Sequence, residues 1–231
     1  MMHTLKDVLA VETPPSTDSY CAVPYGRLIE SVREHVEKIG PVTHESWELA
    51  REGKQLFGTM RVDSGHKDHG LAIGIRSSHD KSLSVGIATG ASVFVCSNLC
   101  FSGDAVTLMR AHRSQFWDSW EGLVVNALAQ AGAKYDDMAE QFERMKLIDV
   151  DQDQGYGLIG IAAGIKTITP TQTNAALRAW RNPPQEAFEP RNAWSLYNAL
   201  TEGAKKAPVG TSLDVHTGIH AFTVERLLRA A

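Results

Sequence analysis

The spacing of apolar residues changes from a period of about 3.6 to one of 2 at Pro41, and this change constrains the fold more than any other feature. Upstream, Pro24 opens the run YGRLIESVREHVEKIG, where Leu28, Ile29, Val32, Val36 and Ile39 recur at helical spacing and Gly40 stops the helix. Downstream, VTHESWELA, QLFGTMRVD, LAIGIRSS, LSVGIAT and ASVFVCSN form five strand-like runs within about 60 residues. The gaps between them hold Gly, Asp, Ser and Lys and are too short for crossover helices, so neighbouring strands must run antiparallel. A β-meander of about five strands over residues 41–97 is expected. Within it, residues 71–77 and 83–95 are expected as adjacent antiparallel strands, with His79 and Asp80 at or beside their turn.

From about Ser114 the helical period returns. Phe116, Trp120, Leu123, Val124, Ala127 and Leu128 share one face, and Tyr135, Met138, Phe142 and Met145 repeat the pattern. Thr169 caps a helix over 170–182 with Pro170 at its first position, and Asn192 caps the next, AWSLYNALTEGAKK. The fold class is therefore α+β, with a preceding helix, an antiparallel sheet and a helical C-terminal half. All 231 residues read as a single domain: a loose N-terminal arm over 1–23 containing a short helix, helix plus sheet over 24–113, and a helical part packed on it over 114–231.

Charge and apolar content limit the partners. No apolar run approaches the roughly 18 residues that cross a bilayer, so no membrane is expected. The opening MMHTLKDVLAVE lacks the apolar stretch of a signal peptide, and the expected location is the cytoplasm. The net charge of −4 means that any nucleic-acid surface has to be local. An odd set of cysteines, Cys21, Cys96 and Cys100, is no disulfide framework.

Several motifs fail on their chemistry. GYGLIG, residues 155–160, lacks both the strand leading into its first glycine and the acid about 20 residues later that a dinucleotide site requires, and reads instead as a glycine-rich helix packed closely on its surroundings. GIAAGIKT, residues 160–167, has Ile165 where a phosphate loop needs its second glycine. DVDQDQGY, residues 149–156, misplaces the glycine of a calcium loop, and its acids favour a helix N-terminus instead. HTGIH, residues 216–220, has zincin spacing, but Thr217 replaces the catalytic Glu and Gly218 weakens a helix. HKDH, residues 66–69, lies in a turn between strands. With the hairpin it gives a metal reading: His66, His69, His79 and Asp80 converging on a divalent metal. The competing reading is exposed turn histidines, with Asp80 tightening its own turn and His79 bonding a neighbouring segment near Asn98 or Trp194.

RSSHDKSLSVGIATGASVFVCSNLCFSGD, residues 76–104, and NAWSLYNALTEGAKK, from Asn192, together resemble the phage- and plasmid-borne family known as domain of unknown function 932. The matching positions are Arg76, Ser78, His79, Asp80, Cys96, Asn98, Phe101, Ser102, Gly103, Trp194, Tyr197, Asn198, Thr201 and Glu202. The resemblance implies a mobile-element origin and no established activity. A β-meander followed by helices is also similar to the core of phage single-strand annealing proteins, an analogy of fold. The first expectation is thus a self-associating, non-enzymatic protein that binds single-stranded nucleic acid through basic residues and stacking aromatics: Arg110, Arg113, Arg178, Arg181, Trp117, Trp120 and Trp180. The alternatives are a metal-dependent hydrolase using the turn histidines, and a phage protein that blocks a host defence protein by binding it.

Overall fold

The structure is a computed structural model describing residues 2–63, 65, 69–94, 99–113 and 115–229. The first elements are β1 (Met2–His3), α1 (Leu5–Leu9) and α2 (Tyr25–Val36). The long strands follow: β2 (Val42–Ala50), β3 (Gln55–Val62), β4 (His69–Ser78), β5 (Val85–Val93) and β6 (Leu99–Arg110). They form one sheet in the order β1-β2-β3-β4-β5-β6, each strand antiparallel to the next. The expected hairpin is present, with Ile75 opposite Ile87 and Arg76 opposite Gly86.

Three details differ from the sequence reading. LSVGIAT and the start of ASVFVCSN are halves of one strand, β5; residues 95–98 lie outside the described residues. Against β6, β5 shifts register between Ala88 and Gly90. The fifth strand of the meander is β6, which carries Gly103 and Asp104 and reads as a loop on those residues. The two-residue β1 adds a sixth strand at the far edge, pairing His3 with Trp47.

The two faces of the sheet differ in bulk. Leu56, Met60, Leu71, Ile73, Ile75, Val85 and Ile87 point into the main core. The other face carries Gly74, Gly86 and Ala88, over which Phe57, Phe101 and Leu213 form a second cluster. Both faces are covered, so β3 to β5 are buried almost continuously rather than in alternation.

The helices are α3 (Phe116–Ala129), α4 (Ala131–Lys146), α5 (Gln152–Gly164), α6 (Pro170–Arg181), α7 (Ala193–Ala204) and α8 (Ser212–Thr223), the last continuing into a π-helical turn, Val224–Leu228. Asp151 and Thr169 form capping boxes with Gln154 and Gln172, and Asn192 accepts from the Ser195 amide. A Cβ on Gly155 would run into the Trp180 indole, so the glycine-rich helix α5 does pack closely on α6. HTGIH lies on α8; the helix continues through Gly218, and His216 and His220 are buried rather than exposed. The arm is not loose at its end: Tyr20, Cys21, Ala22 and Val23 are buried. One apolar cluster runs from Val8 through the sheet to Leu228. Among the described residues, no helix is long and apolar enough to cross a membrane.

Candidate functional site

The β4–β5 hairpin holds the arm against the sheet. Ser78 closes the hairpin, its hydroxyl accepting from the Leu83 amide at 2.9 Å and donating to the Leu83 carbonyl at 3.1 Å. Asp80 accepts from the Ser82 amide at 3.0 Å, from the Ser82 hydroxyl, and from Arg51 at 3.2 Å. Desolvation pushes its carboxyl up, but these hydrogen bonds together outweigh it and hold the pKa below the ordinary value. Asp80 thus tightens its own turn, as its residue type favours.

His79 points inward. Its ring stacks on Tyr25 at 3.9 Å and 9°, and Nε2 lies 3.1 Å from the Val23 carbonyl. A carbonyl only accepts, so Nε2 carries the proton. The partner is the arm, not the Trp194 region; Asn98 lies outside the described residues. His112 repeats the device two residues back, with Nδ1 donating to the Cys21 carbonyl at 3.2 Å. Burial pushes both imidazoles below their ordinary pKa, partly offset by these carbonyls. Tyr20 donates towards the Ser78 and His79 carbonyls at 3.4 and 3.3 Å, and Tyr25 donates to the Gly53 carbonyl at 3.1 Å. Behind this clamp, a cavity of about 580 Å³ opens between Val11, Glu12, Glu52, Lys54, His79 and Asp80. The β2–β3 turn on its wall holds Arg51, Glu52 and Gly53 in the left-handed region, at φ 50°, 58° and 85°.

The described members of the proposed metal set, His69, His79 and Asp80, do not come together. His69 is the first residue of β4 and His79 follows its last; ten residues of strand separate them by on the order of 30 Å. His69 is a strand residue, not a turn residue, and is buried with Nδ1 2.7 Å from the Tyr135 hydroxyl and its ring against Phe142. His66, Cys96 and Asn98 lie outside the described residues. Among the described residues, no group of three or more His, Cys, Asp or Glu side chains is arranged to hold a metal ion. The late motif helix α7 is also architectural: Trp194, Tyr197 and Asn198 are buried, Asn198 donates to the Trp194 carbonyl at 3.0 Å, and the Tyr197 hydroxyl meets His220 at 3.1 Å. Arg76 lies on the small-residue face, with Nη1 3.7 Å from Asp214 and Nη2 3.5 Å from the Met109 sulfur.

The nucleic-acid candidates divide into two places. Trp180 is buried and donates to the Gln152 carbonyl at 3.1 Å, so its faces are not available to a base. Arg178 and Arg181 are exposed beside it, and Arg181 donates to the Tyr156 hydroxyl at 3.3 Å. Trp120 is also buried, donating to Ser31. Trp117, in contrast, is only half-buried, and the guanidinium of exposed Arg27 lies 3.8 Å over its ring. Arg110, at the end of β6, donates to Ser119 on the same helix at 3.1 Å, and exposed Arg113 receives the Phe116 amide at its carbonyl just before α3. Helix α3 is thus flanked by three arginines: Arg27 of α2 lies over Trp117, Arg110 of β6 bonds Ser119, and Arg113 precedes its first turn. Sequence reasoning missed Arg27, because its pairing with Trp117 is set by how α2 packs on α3 and leaves no local pattern.

What emerges is an α+β protein whose antiparallel meander is backed by helices and whose motif residues fix the arm and the core. The chain belongs to the DUF932 family, a domain of unknown function, whose model matches residues 16–213. No curated protein and no solved structure matches it.

Proposed function

We propose that this protein binds single-stranded nucleic acid, without catalysis, through the Arg27–Trp117 surface, and that it serves phage or plasmid recombination or replication in the host cytoplasm. The observation that carries this reading is the exposed Arg27 guanidinium 3.8 Å over a half-buried tryptophan, with Arg110 and Arg113 on the adjoining elements. Backbone phosphates need clustered cations, and bases need an aromatic or guanidinium plane to stack on. The overall charge of −4 does not oppose this, because exposed charges more than about 10 Å away are largely screened at 0.1 M salt.

The test is fluorescence anisotropy with a labelled oligothymidine at rising salt. Affinity is expected to fall linearly on a double-logarithmic plot, and each of Arg27→Ala, Arg110→Ala and Arg113→Ala is expected to flatten the slope by about 0.7. Arg178→Ala with Arg181→Ala serves as the comparison surface. Undetectable binding at low salt, or binding that ignores salt, would remove the proposal.

A further inference from the structure

The cavity behind the clamp is walled by three segments. The arm contributes Val11, Glu12 and Pro14, the β2–β3 turn Glu52 and Lys54, and the β4–β5 hairpin His79. Val11 closes the arm against the turn: a Cβ on Gly53 would come within 3.2 Å of its side chain. Glu12 and Glu52 are exposed, and neither has an ion-pair partner among the described residues. The lining thus carries two carboxylates without an ion pair against one ammonium, that of Lys54. His79, only 9% exposed, adds an acceptor. Its Nε2 proton goes to the Val23 carbonyl, so Nδ1 of the neutral ring bears a lone pair, and no donor among the described residues bonds it. The Glu12 backbone also lies within hydrogen-bonding reach of the ring and raises its pKa, as a carbonyl acceptor does. Two buried acceptors on one wall can be bridged only by a group with two hydrogens to give. Water meets that requirement; the carboxylates of Glu12 and Glu52 favour a donor that is also positively charged.

We propose that this cavity binds a small aliphatic diamine. One ammonium donates to His79 Nδ1 and the Glu12 carbonyl, the methylene chain lies along Val11 and Pro14, and the Glu12 and Glu52 carboxylates supply the countercharge. A volume of about 580 Å³ is in the range of small-molecule sites and holds such a chain. An anion is disfavoured by the same two carboxylates, and the described acids and histidines are not arranged to hold a metal ion. The inference goes beyond nucleic-acid binding, because no residue of the Arg27–Trp117 surface lines the cavity.

Titration of the nitrogen-15-labelled full chain with 1,5-diaminopentane, followed by amide chemical shifts, tests it. Saturable shifts are expected on the arm around Glu12, the turn around Glu52 and the hairpin around His79. The uncharged 1,5-pentanediol, of the same length, is expected to leave them unmoved. Glu12→Gln and Glu52→Gln should each weaken binding about two- to fivefold, the range of a partly exposed ion pair, and the double variant about tenfold. Both positions are exposed, so circular dichroism should report an unchanged fold, and oligothymidine binding should be unaltered, which separates failure here from failure of the nucleic-acid reading. Shifts that never saturate or spread over acidic surface elsewhere overturn the proposal. So does a diol that binds as well as the diamine, or a double variant that binds as the wild type does.

Discussion

An imidazole that donates to a backbone carbonyl while stacked on a buried phenol is suited to its neutral form. His79 sits this way on Tyr25, and His112, tilted against Tyr20, makes the same kind of bond; their carbonyls are two residues apart in the arm. Burial holds their pKa values below that of an unfolded histidine, so the unfolded chain takes up protons first. Stability from these residues is then fully present above about pH 6.5 and is lost as the pH falls through that value. Melting temperatures measured from about pH 7.5 down to 5.5 should decline in the wild type. His79→Phe keeps the stack on Tyr25 but loses the donor and the titration, so it should melt lower at neutral pH and decline less on acidification. Matching pH profiles for the two proteins would rule out the clamp as the cause. Asp80 is expected to act locally: Asp80→Ala should cost about 0.5–2 kcal/mol in urea denaturation, the scale of a lost turn or cap hydrogen bond. A chelator should leave both results unchanged. Metal bound by the wild type and absent from His79→Ala would instead restore a functional reading of the pair.

At the level of elements, glycines test whether helix propensity or packing governs each position. In α5, Gly155 faces the Trp180 indole, whereas in α3 a Cβ on Gly122 meets nothing within 4 Å. Gly122→Ala should stabilise by up to about 1 kcal/mol, from propensity alone. Gly155→Ala gains the same propensity but overpacks Trp180, and should be destabilising by about 1–3 kcal/mol net. If the two substitutions change the denaturation midpoint in the same direction, α5 and α6 are not packed as described. This contrast also bears on what could be read in advance. The caps Thr169 and Asn192, the acidic N-terminus of α5 and the hairpin around His79 were legible because capping and turn chemistry act within a few residues. β6 was not, because Gly103 and Asp104 are turn residues in isolation, and the strand runs through them where its pairing with β5 is interrupted between Phe101 and Val106. The fate of Trp180 was equally hidden: a tryptophan between two arginines looks like a stacking platform until Gly155 brings α5 against it.

For the whole molecule, the main cluster contains residues of the arm, sheet and helices, from Val8 to Leu228. Helices α2, α3 and α4 pack on the strands of the sheet and share the cluster of its large-residue face. A fragment ending at Arg113 should therefore fail to melt cooperatively, and a sharp calorimetric transition from that fragment would show that the sheet stands alone. At this scale the candidate surface was half legible. Arg110, Arg113 and Trp117 were named from their residue types, but the meeting of Trp117 with Arg27 depends on tertiary packing. His69 was misread because a short polar cluster such as HKDH looks like a turn, while β4 begins at its last member and carries it into the core.

The unequal faces of the sheet have a consequence for how the chain finds its register. If β4 slipped by one residue, Leu71, Ile73 and Ile75 would turn towards the side where a Cβ on Gly74 already comes within 3.0 Å of Phe101, and one on Gly86 within 2.8 Å of the Met109 sulfur. No room exists there for branched side chains, so α8 could not dock and the second apolar cluster could not close. The narrow face therefore works as an error check on assembly: a misaligned sheet can form hydrogen bonds, but it cannot be sealed.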